Sequence, residues 1–158
     1  MKYFYDTEFL EDGDTIKLIS IGIVAEDGRE YYATSSDMPV ERIRKHEWLM
    51  ENVFPHLPFS GDWKPRTKIR DEVAAFLTHT DKTELWGYYS AYDHVLLAQL
   101  FGTMMDLPEG IPMYTNDVRS LVDFTGITKL PRQKGVEHDA LADARHVKVM
   151  HDYLKAQA

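Results

Sequence analysis

Apolar positions change their period along this chain, and the changes mark its elements. Lys2–Tyr5 is aromatic on both parities, the pattern of a strand covered on both faces. Ile16–Ala25 reads as a second strand, rich in β-branched residues. Glu26-Asp27-Gly28 carries the Asp-Gly signal of a tight turn, so Arg29–Thr34 reads as the antiparallel partner of that strand. Val40–Asn52 reads as one helix, followed by a loop holding Pro55 and Pro58. Ile69, Val73, Phe76 and Leu77 recur at i, i+4, i+7 and i+8, which predicts an amphipathic helix over Thr67–His79. Glu84–Tyr89 is a fourth strand, Ala91–Phe101 a helix, Pro112–Tyr114 a short fifth strand and Asp117–Phe124 a short helix. Ala140, Ala144, Val147, Met150 and Leu154 mark the buried side of a last helix, which runs from Ala140 to about Lys155. Three strands followed by alternating helices and strands predict an α/β fold: a mixed five-stranded sheet with helices on both faces, in one domain over residues 1–158.

Charge matters where it interrupts this pattern. Asp6 and Glu8 close the first strand two residues apart, so their side chains project to one face. Two like charges at the end of a buried strand repel and resist desolvation, and a divalent cation with hard-oxygen preference relieves both penalties. A solvated strand end is the plainer reading of the pair alone. Asp93 falls where the fourth strand meets the next helix, where the helix dipole favours a carboxylate. Asp139 reads as an N-cap, placing Asp143 about one turn into the last helix and His138 in the loop before it. The carboxylate is thereby held rigidly and the imidazole sits on a mobile segment, an arrangement suited to a base that swings over bound water.

The formal net charge of −8 disfavours gripping a long duplex, whose affinity comes largely from Lys and Arg on phosphates. The chain has no cysteine, which excludes disulfides, thiolate catalysis and cysteine-based zinc sites. No stretch approaches a membrane span and the chain opens directly into a strand, so the expected home is the cytoplasm, with no membrane partner.

Taken in order, Asp-x-Glu on the first strand, Asp after the fourth strand and His-x4-Asp opening the last helix resemble the DEDDh 3′-5′ exonucleases of the ribonuclease-H-like fold. The likeness runs over nearly the whole chain. Tyr5-Asp6-Thr7-Glu8-Phe9, the hairpin Leu18–Tyr32 and Gly87–Leu97 look most like the small bacterial polyadenylate-specific 3′-exoribonucleases, the ribonuclease AS type. Many relatives carry Asn three residues before the Asp of the second motif, where this chain has Ser90; that departure bears on the loop's orientation. The resemblance implies two Mg²⁺ or Mn²⁺ ions held by Asp6, Glu8, Asp93 and Asp143, with His138 taking a proton from the attacking water. Four carboxylates against two dications balance in charge. It further implies a single-stranded RNA 3′ end as substrate, adenylate-rich, released as 5′-mononucleotides, and a homodimer.

Substrate contacts are read from position. Phe9 and Leu10 directly follow the metal pair and are candidates to bear on the terminal nucleotide. Trp86, Tyr89 and Tyr92 are near the site in sequence and read either as core or as stacking platforms for bases. Arg132 and Lys134 lead into His138 and are candidates to track phosphates; Lys64, Arg66, Lys68 and Arg70 form a second basic run. A DNA exonuclease with the same catalytic set is the alternative, separated only by a contact to the 2′-hydroxyl. A silent ribonuclease-H-like binding module would need to have lost a ligand or the histidine, and all five are present.

Overall fold

The computed structural model describes residues 1–80 and 82–157. Five strands form one sheet in the order β3-β2-β1-β4-β5. They are β1 (Lys2–Glu11), β2 (Ile16–Ala25), β3 (Glu30–Thr34), β4 (Glu84–Gly87) and β5 (Asn116–Asp117). β1, β2 and β3 are antiparallel, while β1–β4 and β4–β5 are parallel. The helices are α1 (Val40–Arg44), α2 (Glu47–Asn52), α3 (Arg66–Leu77), α4 (Ala91–Phe101), α5 (Val118–Thr125) and α6 (Ala140–Gln157).

Strand parity distributes the core. Tyr3 and Tyr5 of β1, with Ile21 and Ile23 of β2, pack on Ile69, Val73 and Leu77 of α3 and on Leu97 and Leu100 of α4. Phe4 points the other way, with Trp86, toward Val147, Met150 and Leu154 of α6 and Val118 and Val122 of α5. Both faces of the sheet are therefore covered, as the doubly apolar pattern of β1 requires. A third cluster, from Leu10 and Ile19 to Ile43, Leu49 and Val53, seats α1 and α2 over the far end of the β1–β2 hairpin.

Several boundaries differ from the sequence expectation. β1 does not stop at Tyr5: it stays paired with β2 out to Glu11, whereas its parallel pairing with β4 ends at Phe4–Trp86. Asp6 and Glu8 thus lie inside one ladder and just beyond the other. A bulge between Glu8 and Phe9 breaks the β2 register there, and such bulges re-aim side chains. The expected helix over Val40–Asn52 is two helices, because His46 accepts a hydrogen bond from the Leu49 N–H (3.3 Å) and starts α2 afresh. β5 lies at Asn116–Asp117 and not at Pro112–Tyr114. Proline cannot donate to a ladder, and Asn116 Nδ2 instead donates to the Leu85 carbonyl (3.1 Å). β4 ends at Gly87 and not at Tyr89, whose backbone is left-handed (φ 53°).

One glycine is required. Gly22 sits opposite Asp6 in the ladder, and a Cβ there would lie 2.4 Å from the backbone of Ala140 and Leu141. The first turn of α6 can rest on the sheet beside Asp6 only because position 22 has no side chain.

Candidate functional site

Three elements and one loop converge at the C-terminal end of β1. β1 supplies Asp6 and Glu8, on the same face as Phe4 and therefore facing α6. Asp139 caps α6, accepting from the Ala142 N–H (2.9 Å), and Asp143 stands in the first turn. α4 starts where β4 and β1 part, and Asp93 in its first turn is buried. The Thr7 N–H, left without a β4 partner, donates to Asp93 Oδ1 (3.0 Å), and so does the Thr7 hydroxyl. Ser90 is anchored by Asp117, which accepts from its N–H (2.8 Å) and its hydroxyl (3.2 Å). The turn that leads into α4, and so to Asp93, is thus fixed through Ser90, the residue that departs from the family pattern.

Glu8, His138 and Asp143 come together, with one ligand atom of each lying within 4.8 Å of the others. The His138 backbone is left-handed (φ 62°), and its N–H donates to Asp143 Oδ2 (3.0 Å). Gln133 Nε2 donates to Asp143 Oδ1 and to the Val136 carbonyl (2.8 Å). The backbone of the segment expected to swing over bound water is thus tied to Asp143 at His138. Asp6 and Asp143 share a cleft of about 320 Å³ with Tyr88, Pro131, Gln133 and His146.

All four carboxyls are held above their usual range. Burial, then Asp93, Glu8 and Asp143, hold the Asp6 carboxyl well above the usual range. Burial and the charges of Asp143 and Asp93 push Glu8 up to about 8. Burial raises Asp93 to about 6 against the opposing pull of Thr7's two hydrogen bonds. Asp143 is also raised by burial, and Gln133 and the His138 N–H oppose it. The cause common to all four is desolvation of anions, which a bound cation reverses. An all-carboxylate set beside an imidazole suits a hard divalent ion, so the residues present fit one.

The candidate substrate residues separate. Phe9 is half-buried, edge-on to the Tyr92 ring at 5.7 Å; Leu10 is buried in the third core cluster, leaving its backbone as the part near the site. Of its two readings Trp86 takes the core one and not that of a stacking platform: it is buried against His151 (4.5 Å) and its indole N–H donates to Glu84 (2.6 Å). Tyr89 and Tyr92 are exposed. Arg132 and Lys134 flank Gln133 and line a groove along α6. The run Lys64–Arg70 is on or next to α3, with Lys64 engaged by Glu72 (2.6 Å).

Sequence reasoning missed Gln133, Thr7, Asp117 and Trp48. The first three act by side-chain hydrogen bonds between segments with no common period and leave no spacing signal. Trp48 left one, as a large aromatic beside the core residue Leu49 in a short polar helix. It is half exposed, meets the His138 ring edge-on at 4.8 Å, and with Glu8, Phe9 and Glu11 lines a cleft of about 270 Å³.

Residues 1–154 match the family model described as the 3′-5′ exoribonuclease Rv2179c-like domain. The chain belongs to this family. It is 49% identical over 149 residues to the 3′-5′ exoribonuclease Rv2179c of Mycobacterium tuberculosis, an alignment spanning 92% of this chain and 88% of the relative. Two structures of exonuclease I superpose with a TM-score of 0.63 each, at 12% and 13% identity, over 98% of this chain. The chain spans 42% and 40% of those longer proteins, and at that identity the likeness establishes the fold, which is ribonuclease-H-like. The grouping of Glu8, His138 and Asp143 suggests the use of divalent metal. Among the described residues no helix is long and apolar enough to cross a membrane.

Proposed function

We propose that this chain is a metal-dependent 3′-5′ exoribonuclease that removes 5′-mononucleotides from single-stranded RNA, acting on adenylate-rich ends, as a homodimer in the cytoplasm. The observation that carries the reading is the convergence of Glu8, His138 and Asp143 beside Asp6 and Asp93. Membership of an exoribonuclease family supports RNA over DNA. Asp6, Glu8, Asp93 and Asp143 would hold two Mg²⁺ or Mn²⁺ ions. Such a pair stabilises the entering and leaving oxygens of an in-line displacement when bound.

The chain's own residues do the rest. His138, with its backbone fixed by Asp143 and its ring against Trp48, presents an imidazole nitrogen beside the carboxylates and accepts the proton of the attacking water. General-base help of this kind is worth about 10²–10⁴ in rate. Thr7 holds Asp93, Gln133 holds Asp143, and Gly22 lets α6 close on the sheet, so the four carboxylates are in position before substrate arrives. The backbone at Phe9 and Leu10 bears on the terminal nucleotide, and Phe9 and Tyr92 form one wall around it.

The test is a 5′-labelled oligoadenylate incubated with Mg²⁺. It should shorten as a ladder, a 3′-phosphate should block it, and His138→Ala should lower kcat by about 10²–10⁴ with KM little changed. Rapid cutting of a circular RNA, or faster turnover of the matched DNA, would overturn the assignment.

A further inference from the structure

The site has two ways out, and their charges differ in sign. One leads from Glu8 past Phe9, Trp48 and Glu11, and then to a second hollow lined by Glu11 and Asp14. The other leads from Asp6 and Asp143 over Pro131, Gln133 and His146. These three residues also line a groove of about 440 Å³ that continues to Arg132, Lys134 and Arg145.

Of the three cations of that groove, only Arg145 has an ion pair among the described residues. Gln133 points inward, its amide shared between Asp143 and the Val136 carbonyl. Arg132 and Lys134 flank it and are both exposed. Arg145 is occupied by Glu30, at 2.8 and 2.7 Å. Arg132 and Lys134 have no ion pair among the described residues, in a chain that carries 26 acidic and 18 basic side chains. Two exposed cations beside the acidic site supply positive potential along this exit, the sign that draws a phosphate chain.

We propose that this groove carries the RNA upstream of the scissile phosphate, with Arg132 and Lys134 each taking one backbone phosphate. This rests on the exoribonuclease reading and adds a direction to it. Upstream nucleotides bring one phosphate apiece, so they leave by the cationic exit, while the terminal nucleotide lies toward Glu8 and Phe9 with no further phosphate to place there. Contacts to phosphate fix the strand without reading its bases, so the groove sets substrate length and not sequence.

The test is anisotropy of labelled oligoadenylates of two and ten nucleotides binding to the full chain, in Ca²⁺ and across a salt series. Arg132→Ala/Lys134→Ala should weaken the ten-mer about tenfold and leave the dinucleotide within about twofold. The salt slope should fall by roughly 1.4, about 0.7 for each phosphate on a single strand. Lys45→Ala/Lys155→Ala, the same charge change elsewhere, should leave both ligands unaffected. Unchanged ten-mer binding overturns the proposal, and so does equal loss for both lengths, which would put the two residues at the scissile bond. A change of sedimentation mass in the double variant would make the groove a contact between copies of the chain and overturn it too. If wild-type protein neither binds nor shortens RNA, it is the exoribonuclease reading that fails.

Discussion

Replacing Glu8 by Gln should destroy activity and yet stabilise the metal-free protein at neutral pH. Glu8 is buried at 8% exposure among other carboxylates, and its pKa rises from 4.5 to about 8. The folded state therefore holds a proton that the unfolded state has released. For an acid shifted upward, folding stability is highest below the unfolded pKa, falls as pH rises from 4.5 toward 8, and then levels off. At about 1.4 kcal/mol per pH unit, the loss accumulated by pH 7 is about 3 kcal/mol. Asp6 and Asp93 are raised with it, and sharing the repulsion among them lowers the expected gain from Glu8→Gln to roughly 1–3 kcal/mol. For a chain of this size that is a rise of about 2–12 °C in Tm. The assay is thermal and urea unfolding from pH 5 to 8.5 in chelator, repeated with excess Mg²⁺. Wild type should lose stability with rising pH in chelator and recover it with metal, whereas the variant should show a flatter pH slope and a smaller metal gain. A variant less stable than wild type at pH 7 in chelator, with the pH slope intact, would refute the claim that the cluster is strained by its own charge.

Gly22→Ala should cost several kcal/mol or move α6, since its Cβ meets Ala140 backbone at 2.4 Å; chemical denaturation and activity should fall together, and a variant with normal activity would show that α6 need not sit so close. Thr7→Val keeps the backbone bond to Asp93 but removes the hydroxyl, so metal affinity by calorimetry should drop roughly tenfold, about 1–2 kcal/mol for one hydrogen bond to a charge. Trp48→Ala removes the ring against His138 and should lower kcat about tenfold by loosening the imidazole. Trp48→Phe should restore most of it, and failure of that rescue would point away from ring packing.

Much of this protein was decided locally. The doubly apolar β1, the β-branched β2 with its Asp-Gly turn and the 3.6 periodicity of α3 and α6 are consequences of which side chains can be buried together. The sheet and the helices on both its faces follow from them. Asp6, Glu8, Asp93, His138 and Asp143 were picked out by their order along the chain, through the resemblance to the DEDDh exonucleases; each by itself had a plainer reading, and the structure draws Glu8, His138 and Asp143 together. Sequence left Trp86 open between core and stacking platform, because nearness in sequence says nothing about which way a ring faces; packing against Phe4 and His151 turned it inward. Only the tertiary structure determined that β1 keeps one ladder and loses the other beside Asp6, which frees the Thr7 N–H for Asp93. Nor could spacing announce that Gln133 clamps Asp143 or that Trp48 backs His138, since both contacts join segments with no common period. The chain chose its elements by local burial, but the orientation of the site came from hydrogen bonds and close approaches that exist only after the sheet, α4 and α6 have met.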